Sequence, residues 1–199
     1  VPAGVVSAIS AQPHATRHLS IGSTSLLVHF FGKTDLRAVD RVFGHLQVRA
    51  GPAHHRLNVV EVSDTYFLVS DDQPIGMASA AQFNPLLKSF LTELCCKDID
   101  CGFLAHGALL AKKDRRLLIT GPPGAGKTTL AIALLSSGFS FCGDDIVHIE
   151  LAGKAGGLPF AAALKSGSWE ILASFCPELS GADAHERADG QLVRYVIPE

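Results

Sequence analysis

The sequence predicts an α/β protein of the α+β, mixed-sheet kind, with a phosphate-loop core in its second half and a smaller α+β region before it. Three observations carry this prediction. A short apolar strand, Arg116–Thr120, runs into a glycine-rich turn and then into an apolar helical stretch, Thr129–Leu135. A second strand-like run, Phe103–Ala111, joins the first through Lys112-Lys113-Asp114-Arg115 alone. So short a link makes an antiparallel hairpin, because a parallel neighbour needs a long crossover. The first half interleaves strand-like runs with two helical patterns and shows no internal repeat.

Taken in order, residues 1–16 carry Ala, Ser, Pro and Gly without periodicity and read as a loose lead-in. Ser25–Phe31 reads as a strand. Thr34 can cap a helix whose apolar face is Leu36, Val39, Val42, Phe43 and Leu46. Leu57–Val62 and Thr65–Val69 read as two strands around Ser63-Asp64. A longer helix is expected over Ala78–Cys96, with Pro85 marking a start or a kink. The second half begins near Asp98–Gly102, so the expected division is 1–97, without a chemical motif of its own, and 98–199. After the loop helix, Ser137-Gly138 stops the helical pattern. Phe139–Gly143 and Ile146–Ile149 then read as strands on either side of Asp144-Asp145.

The chemistry concentrates at Gly121-Pro122-Pro123-Gly124-Ala125-Gly126-Lys127-Thr128, a full G-x-x-x-x-G-K-[ST] pattern. Glycines let backbone N–H groups turn toward phosphate oxygens, and the helix behind adds the positive end of its dipole. Lys127 can reach the β- and γ-phosphates, and the Thr128 hydroxyl can ligate Mg²⁺, with Thr129 next in the helix. Gly121 to Thr129 are therefore the candidate nucleotide-binding residues. If Ala111 faces Arg116 across the hairpin, His106 falls opposite Gly121 at the mouth of the loop, as a phosphate contact or a partner for a carboxylate. Asp144 and Asp145 form a carboxylate pair at a strand junction, where one can hold Mg²⁺ and the other accept a hydroxyl proton. Strand alternation points them to opposite faces unless a break near Gly143 intervenes. Lys112-Lys113-Asp114-Arg115-Arg116 reads as a solvated hairpin tip. Lys165 is a candidate phosphate contact, whereas Trp169 reads as core and Arg194 as a strand charge.

Composition excludes some classes. The chain has 199 residues, 47% hydrophobic, and a net charge of −2, with mean hydropathy +0.26. That is a globular balance without the basic excess of a nucleic-acid or membrane-surface binder. Five cysteines are present: Cys95, Cys96, Cys101, Cys142 and Cys176. They follow no recognised metal or redox spacing, and reduced thiols in a cytoplasmic protein are expected. The chain begins at Val1 rather than Met and ends where a strand reads as continuing, so a trimmed piece of a longer protein is expected.

The run His106-Gly107, the loop through Thr128, Gly138-Phe139 and Gly143-Asp144-Asp145 resembles the HPr kinase/phosphorylase superfamily, and within it the HPr-kinase-related proteins. The resemblance extends from Phe103 to Glu150, and more weakly over Leu158–Trp169. It implies a P-loop kinase core of the phosphoenolpyruvate-carboxykinase type with a mixed sheet. It further implies ATP and Mg²⁺ as cofactors and transfer of a phosphoryl group to a serine hydroxyl of a peptide or small protein. By position, Lys127 and Thr128 take the ATP and Mg²⁺ roles. Asp144 takes that of the base, and Asp145 with His106 falls in the supporting network, Asp145 as a metal ligand beside Thr128. Thr128-Thr129 stands where HPr kinase has Ser-Glu, and the Glu-x-Arg-Gly-x-Gly signature of the bifunctional enzymes is absent. The implied reading is therefore a kinase of a serine in a peptide or small protein, with neither HPr as acceptor nor the phosphorylase reaction carried over. The charge balance adds neither nucleic acid nor membrane as partner, and a homo-oligomer is left open. A nucleotide-binding regulatory module and a kinase of a small hydroxyl compound are the alternatives.

Overall fold

The computed structural model describes residues 2–99 and 102–198, and among these it is a mixed α/β fold with thirteen strands and five α-helices. The strands form three mostly antiparallel sheets. The first holds β1 (Ala15–Ile21), β2 (Thr24–Phe31), β3 (His55–Val62), β4 (Thr65–Ser70) and β5 (Gln73–Ser79) in chain order. Only β2 and β3 run parallel, and the crossover between them contains α2 (Leu36–Phe43). Alternation on these strands buries Leu26, Val28 and Phe30 beneath α2 and α3 (Ala80–Lys97), in one cluster with Val39, Val42, Phe83, Leu87 and Leu91. Phe31, Val60 and Val69 face the other way and meet Val5 of α1 (Ala3–Ile9).

The second sheet runs β10 (Ala155–Gly157), β9 (Ile146–Ile149), β6 (Phe103–Lys112), β7 (Arg115–Thr120), with β8 (Ser140–Gly143) also on β6. β6 and β7 make the expected hairpin, and Ala111 does pair with Arg116. β8 and β9 lie end to end along the same side of β6, where Leu110 faces Phe141 but Leu109 faces Gly143. Cys142 is thus an extra residue, a bulge at the head of the Gly143-Asp144-Asp145 break. Behind this sheet α4 (Lys127–Leu135) packs its Ala131 on Ala108 and Leu110. The third sheet is β11 (Ala162–Lys165), β13 (Leu192–Val196), β12 (Ala184–Glu186), with α5 (Trp169–Leu172) beside it. Leu158, Phe160, Val193 and Tyr195 join the cluster under the first sheet, so both halves of the chain share that core.

Several local expectations are corrected. The lead-in is ordered, because Val5 is fully buried and Ala15–Ile21 has β2 as a template. Asp35, not Thr34, caps α2, accepting from the Arg37 N–H at 3.0 Å, while the Thr34 hydroxyl is buried without a partner. Ala78 belongs to β5, which pairs with β4 before α3 starts at Ala80. Pro85 is accommodated inside α3. Cys95, Cys96, Cys142 and Cys176 are free thiols, and Cys101 lies outside the described residues. Among the described residues no helix is long and apolar enough to cross a membrane.

Gly143 has φ +150°, and a Cβ there would come within 2.7 Å of Gly157 Cα and 2.8 Å of the Leu158 carbonyl oxygen. Gly143→Ala is expected to destabilise the protein by about 2–4 kcal/mol through backbone displacement. Chemical denaturation measures it, and a loss under about 0.5 kcal/mol, the range of a neutral surface change, would contradict this account.

Candidate active site

β7 ends at Thr120 and hands the chain to the glycine loop, which enters α4 through Gly126 at φ +82°, a left-handed conformation costly for a side-chain-bearing residue. No side chain caps α4. Its first-turn N–H groups therefore remain available to an anion. Lys127 folds over the loop, its ammonium donating to the carbonyls of Gly121 at 3.0 Å and Pro122 at 3.2 Å. Gly121, Pro122, Pro123, Gly124, Ala125, Gly126, Lys127, Thr128 and Thr129 are thus brought together as one turn and helix start. This fits a polyphosphate: a positive helix end, uncapped donors and an ammonium group lie together at one glycine turn.

The Thr128 hydroxyl donates to Asp144 Oδ2 at 2.9 Å. That contact joins the loop helix to the carboxylate pair, which the chain alone separates by a helix and a strand. Asp144 is only 3% exposed. Burial, reinforced by the charge of Asp145, pushes its carboxyl up to about 6, against the pull of the Thr128 hydrogen bond and of Lys88. Asp145, at φ 70°, turns the other way and is ion-paired with Lys88 of α3. Burial would raise this second carboxyl too. The charge and hydrogen bond of Lys88 outweigh that, with His106 and Arg187 adding, and hold it below the usual carboxylate range.

Asp145 opens on a cleft of about 810 Å³ lined by Lys88, His106, Ile146, Arg187 and Tyr195, among others. In the hairpin Gly107 faces Thr120, so His106 continues opposite the start of the loop as the spacing predicts, and its imidazole lines this cleft. Burial, with the charge of Asp145, pushes the Tyr195 phenol up, so it stays protonated. The phosphate loop contributes nothing to the cleft lining. The two carboxylates therefore stand between the glycine turn and a separate cleft.

Other candidates lie elsewhere. Trp169 donates to the Leu164 carbonyl at 2.8 Å and carries the Arg194 guanidinium over its ring at 4.3 Å, a structural stack. Lys165 ends β11 in that same sheet. At the hairpin, Lys112 donates to the Ser137 carbonyl at 2.8 Å and Arg116 to Cys142 Sγ at 2.8 Å, so both brace the segment leading into Asp144. Sequence reasoning missed Lys88, Arg187 and Tyr195. Lys88 had a signal: it follows Asn84 by one helical turn on the buried side of α3, where a lysine is out of place unless paired. Compared with family models, curated proteins and solved structures, the chain matches none.

Two stability predictions follow from these environments. With a native pKa of about 6 against 3.8, Asp144 is protonated in both folded and unfolded chains below about pH 3 and costs nothing there. Above pH 6 it is charged in both, and the buried charge costs up to about 3 kcal/mol. Asp144→Asn should therefore raise stability at pH 7 and leave it unchanged at about pH 3, as denaturation at the two pH values would show. Lys88→Met leaves Asp145 without its cation. Because the Asp145 side chain keeps 39% exposure, water shares the charge, and the expected loss at pH 7 is about 1–3 kcal/mol.

Proposed function

We propose that this chain is an ATP- and Mg²⁺-dependent kinase with a P-loop core of the HPr-kinase-like type, transferring a γ-phosphoryl group to a hydroxyl of a peptide or small protein. One observation carries the reading: adjacent carboxylates divide between the two sites, Asp144 bonded to the loop threonine and Asp145 facing the cleft. Pure nucleotide binding requires only the loop. A carboxylate pair set between two sites lets one member hold a metal and the other accept the acceptor's proton, a division that transfer requires and binding does not.

The loop N–H groups and Lys127 bind and orient the phosphates of the nucleotide, and α4 lends its dipole. In this assignment Asp145 with Thr128 would hold Mg²⁺, with the Thr128 hydroxyl leaving the Asp144 carboxylate it meets here, and the metal would neutralise phosphate charge. The acceptor oxygen forms its bond to the γ-phosphorus as the bond from phosphorus to the β,γ-bridging oxygen breaks, and the hydroxyl proton passes to Asp144. A carboxylate near pKa 6 is a better proton acceptor than an ordinary aspartate and is still mostly ionised at pH 7. His106 and Lys88 fix Asp145 by charge. Positioning of this kind supplies most of the catalysis in phosphoryl transfer, about 7–11 kcal/mol where reactants are well aligned.

The Thr128–Asp144 hydrogen bond favours a second reading, in which Asp144 holds the metal with Thr128 and Asp145, exposed to the cleft, takes the proton. Mg²⁺ titrations separate the two. If Asp144 is the base, Asp144→Asn lowers kcat about 10²–10⁴-fold at every Mg²⁺ concentration, while Asp145→Asn raises the Mg²⁺ requirement. Exchanged roles give the reverse.

The test of the reading itself is transfer of labelled γ-phosphate to serine-containing peptides, with Lys127→Ala alongside. Label on a hydroxyl, lost in Lys127→Ala, supports the kinase. Tight nucleotide binding with no transfer to any acceptor would turn the reading to a regulatory module. With Asp144 as base, kcat/KM should fall as pH drops through about 6, because the ionised form is the active one. Lys88 pulls that carboxyl down, so Lys88→Met should move the acid limb to higher pH.

A further inference from the structure

One wall of the cleft is a single stripe of α3. Gln82, Pro85, Leu86, Ser89, Thr92 and Glu93 all line it. Their spacing is that of one helix face, while Phe83, Leu87 and Leu91 on the opposite face lie in the core. From Gln82 to Glu93 the helix rises about 16 Å, at 1.5 Å per residue. An extended chain covers that distance in about five residues at 3.3 Å each. Lys88 lies midway along the stripe and holds Asp145.

The geometry points to an acceptor groove for an extended peptide of about five residues, whose hydroxyl-bearing residue sits at the Lys88–Asp145 pair. The assignment deepens the kinase reading and rests on it for the transfer, though not for the binding. The two ends of the groove differ in chemistry. Pro85 and Leu86, with Met77 and Ala78 nearby, present a largely apolar surface on one side of the pair, with Gln82 at its far end. On the other side Thr92, its hydroxyl donating to the Lys88 carbonyl at 2.8 Å, stands beside the Glu93 carboxylate. Glu93 is already ion-paired with Lys97 at 2.8 Å, so that end selects for polarity rather than for positive charge. A peptide with an apolar residue about two positions to one side of its serine and a polar residue on the other matches this order. A compact hydroxy compound would meet only the central pair and leave most of the stripe without a contact.

The experiment measures binding and transfer separately. Fluorescein-labelled, end-blocked peptides of three, five and seven residues with a central serine, in a set scanning apolar and polar neighbours, are titrated with the protein and a non-hydrolysable ATP analogue. Anisotropy reads binding. Affinity should rise from three residues to five and level off at seven, with an apolar preference on one side of the serine only. Ser89 is exposed on the groove side of α3, and Ser89→Trp should weaken the five-residue peptide about tenfold or more. Lys154→Ala, at an exposed position outside the groove, should bind it as the parent does, and nucleotide affinity in the same samples reports that the loop is intact. Peptide binding that follows this pattern without any transfer supports the groove and defeats the kinase reading. Transfer in which three residues serve as well as five, or in which Ser89→Trp leaves peptide KM unchanged, defeats the groove and keeps the kinase. Absence of binding by every peptide in the set overturns the groove outright.

Discussion

The site depends on a backbone crossing that only glycine permits. Gly143 and Gly157 pass so closely that a Cβ on Gly143 would meet the Gly157 Cα at 2.7 Å, and one on Gly157 would meet the Cys142 carbonyl oxygen at 2.4 Å. This contact pins the end of β8 against β10 at the place where the ladder on β6 slips by one residue. An uninterrupted strand would send Asp144 and Asp145 to opposite faces of the sheet, one into the α4 side and one into whatever lies beyond. With the bulge and the left-handed Asp145, the first carboxylate instead reaches Thr128 and the second turns to the cleft. Local backbone strain of about 1–3 kcal/mol is a usual cost for such a residue. The neighbouring sheet over-determines it, since the Gly107 N–H donates to the Asp145 carbonyl at 3.2 Å.

The electrostatics then follow from which elements surround each carboxylate. Asp144 is enclosed by chain that carries no cation at hydrogen-bond distance, so burial governs it. Asp145 has Lys88, and with it the first half of the chain enters the chemistry. A buried lysine is tolerable in α3 only because a carboxylate meets it. The apolar cluster that sets α3 against the second half, through Leu158, Phe160, Val193 and Tyr195, is what brings the two together. Packing of the first half and ionisation of the second are therefore linked, and a change in either is felt in the other.

Much of the second half was legible because its determinants are local. The hairpin of Phe103–Lys112 with Arg115–Thr120 is fixed by a short turn, and the glycine loop and helix that follow obey spacing rules over a few residues. The carboxylate pair could be found by residue type and by its strand junction. Where the determinants are distant in sequence, reading failed. The strand Ala15–Ile21 is apolar at only alternate positions and forms because β2 offers it an edge. Asp35 and Thr34 are both competent caps, and the choice between them is made by the depth at which the loop packs. Lys88 and Arg187 are brought to Asp145 by tertiary packing from far along the chain, and no spacing rule connects them.

The separation of the glycine loop and the cleft onto different elements has a further consequence. The phosphate loop, Thr128 and Asp144 belong to one contiguous stretch of the second half, whereas the cleft is walled by α3 and by the turn carrying Arg187. Residues on the solvent side of α3, such as Ser89 and Glu93, touch neither the loop nor the core. They are free to vary without disturbing Lys88, whose own side chain is buried on the flank of the same helix. A helix that anchors a buried charge through one flank and presents an exposed stripe beside it can change the cleft surface while leaving the ion pair in place. In this architecture α3 of the first half and the Arg187 turn of the second wall the cleft together, while the glycine loop stands apart from it.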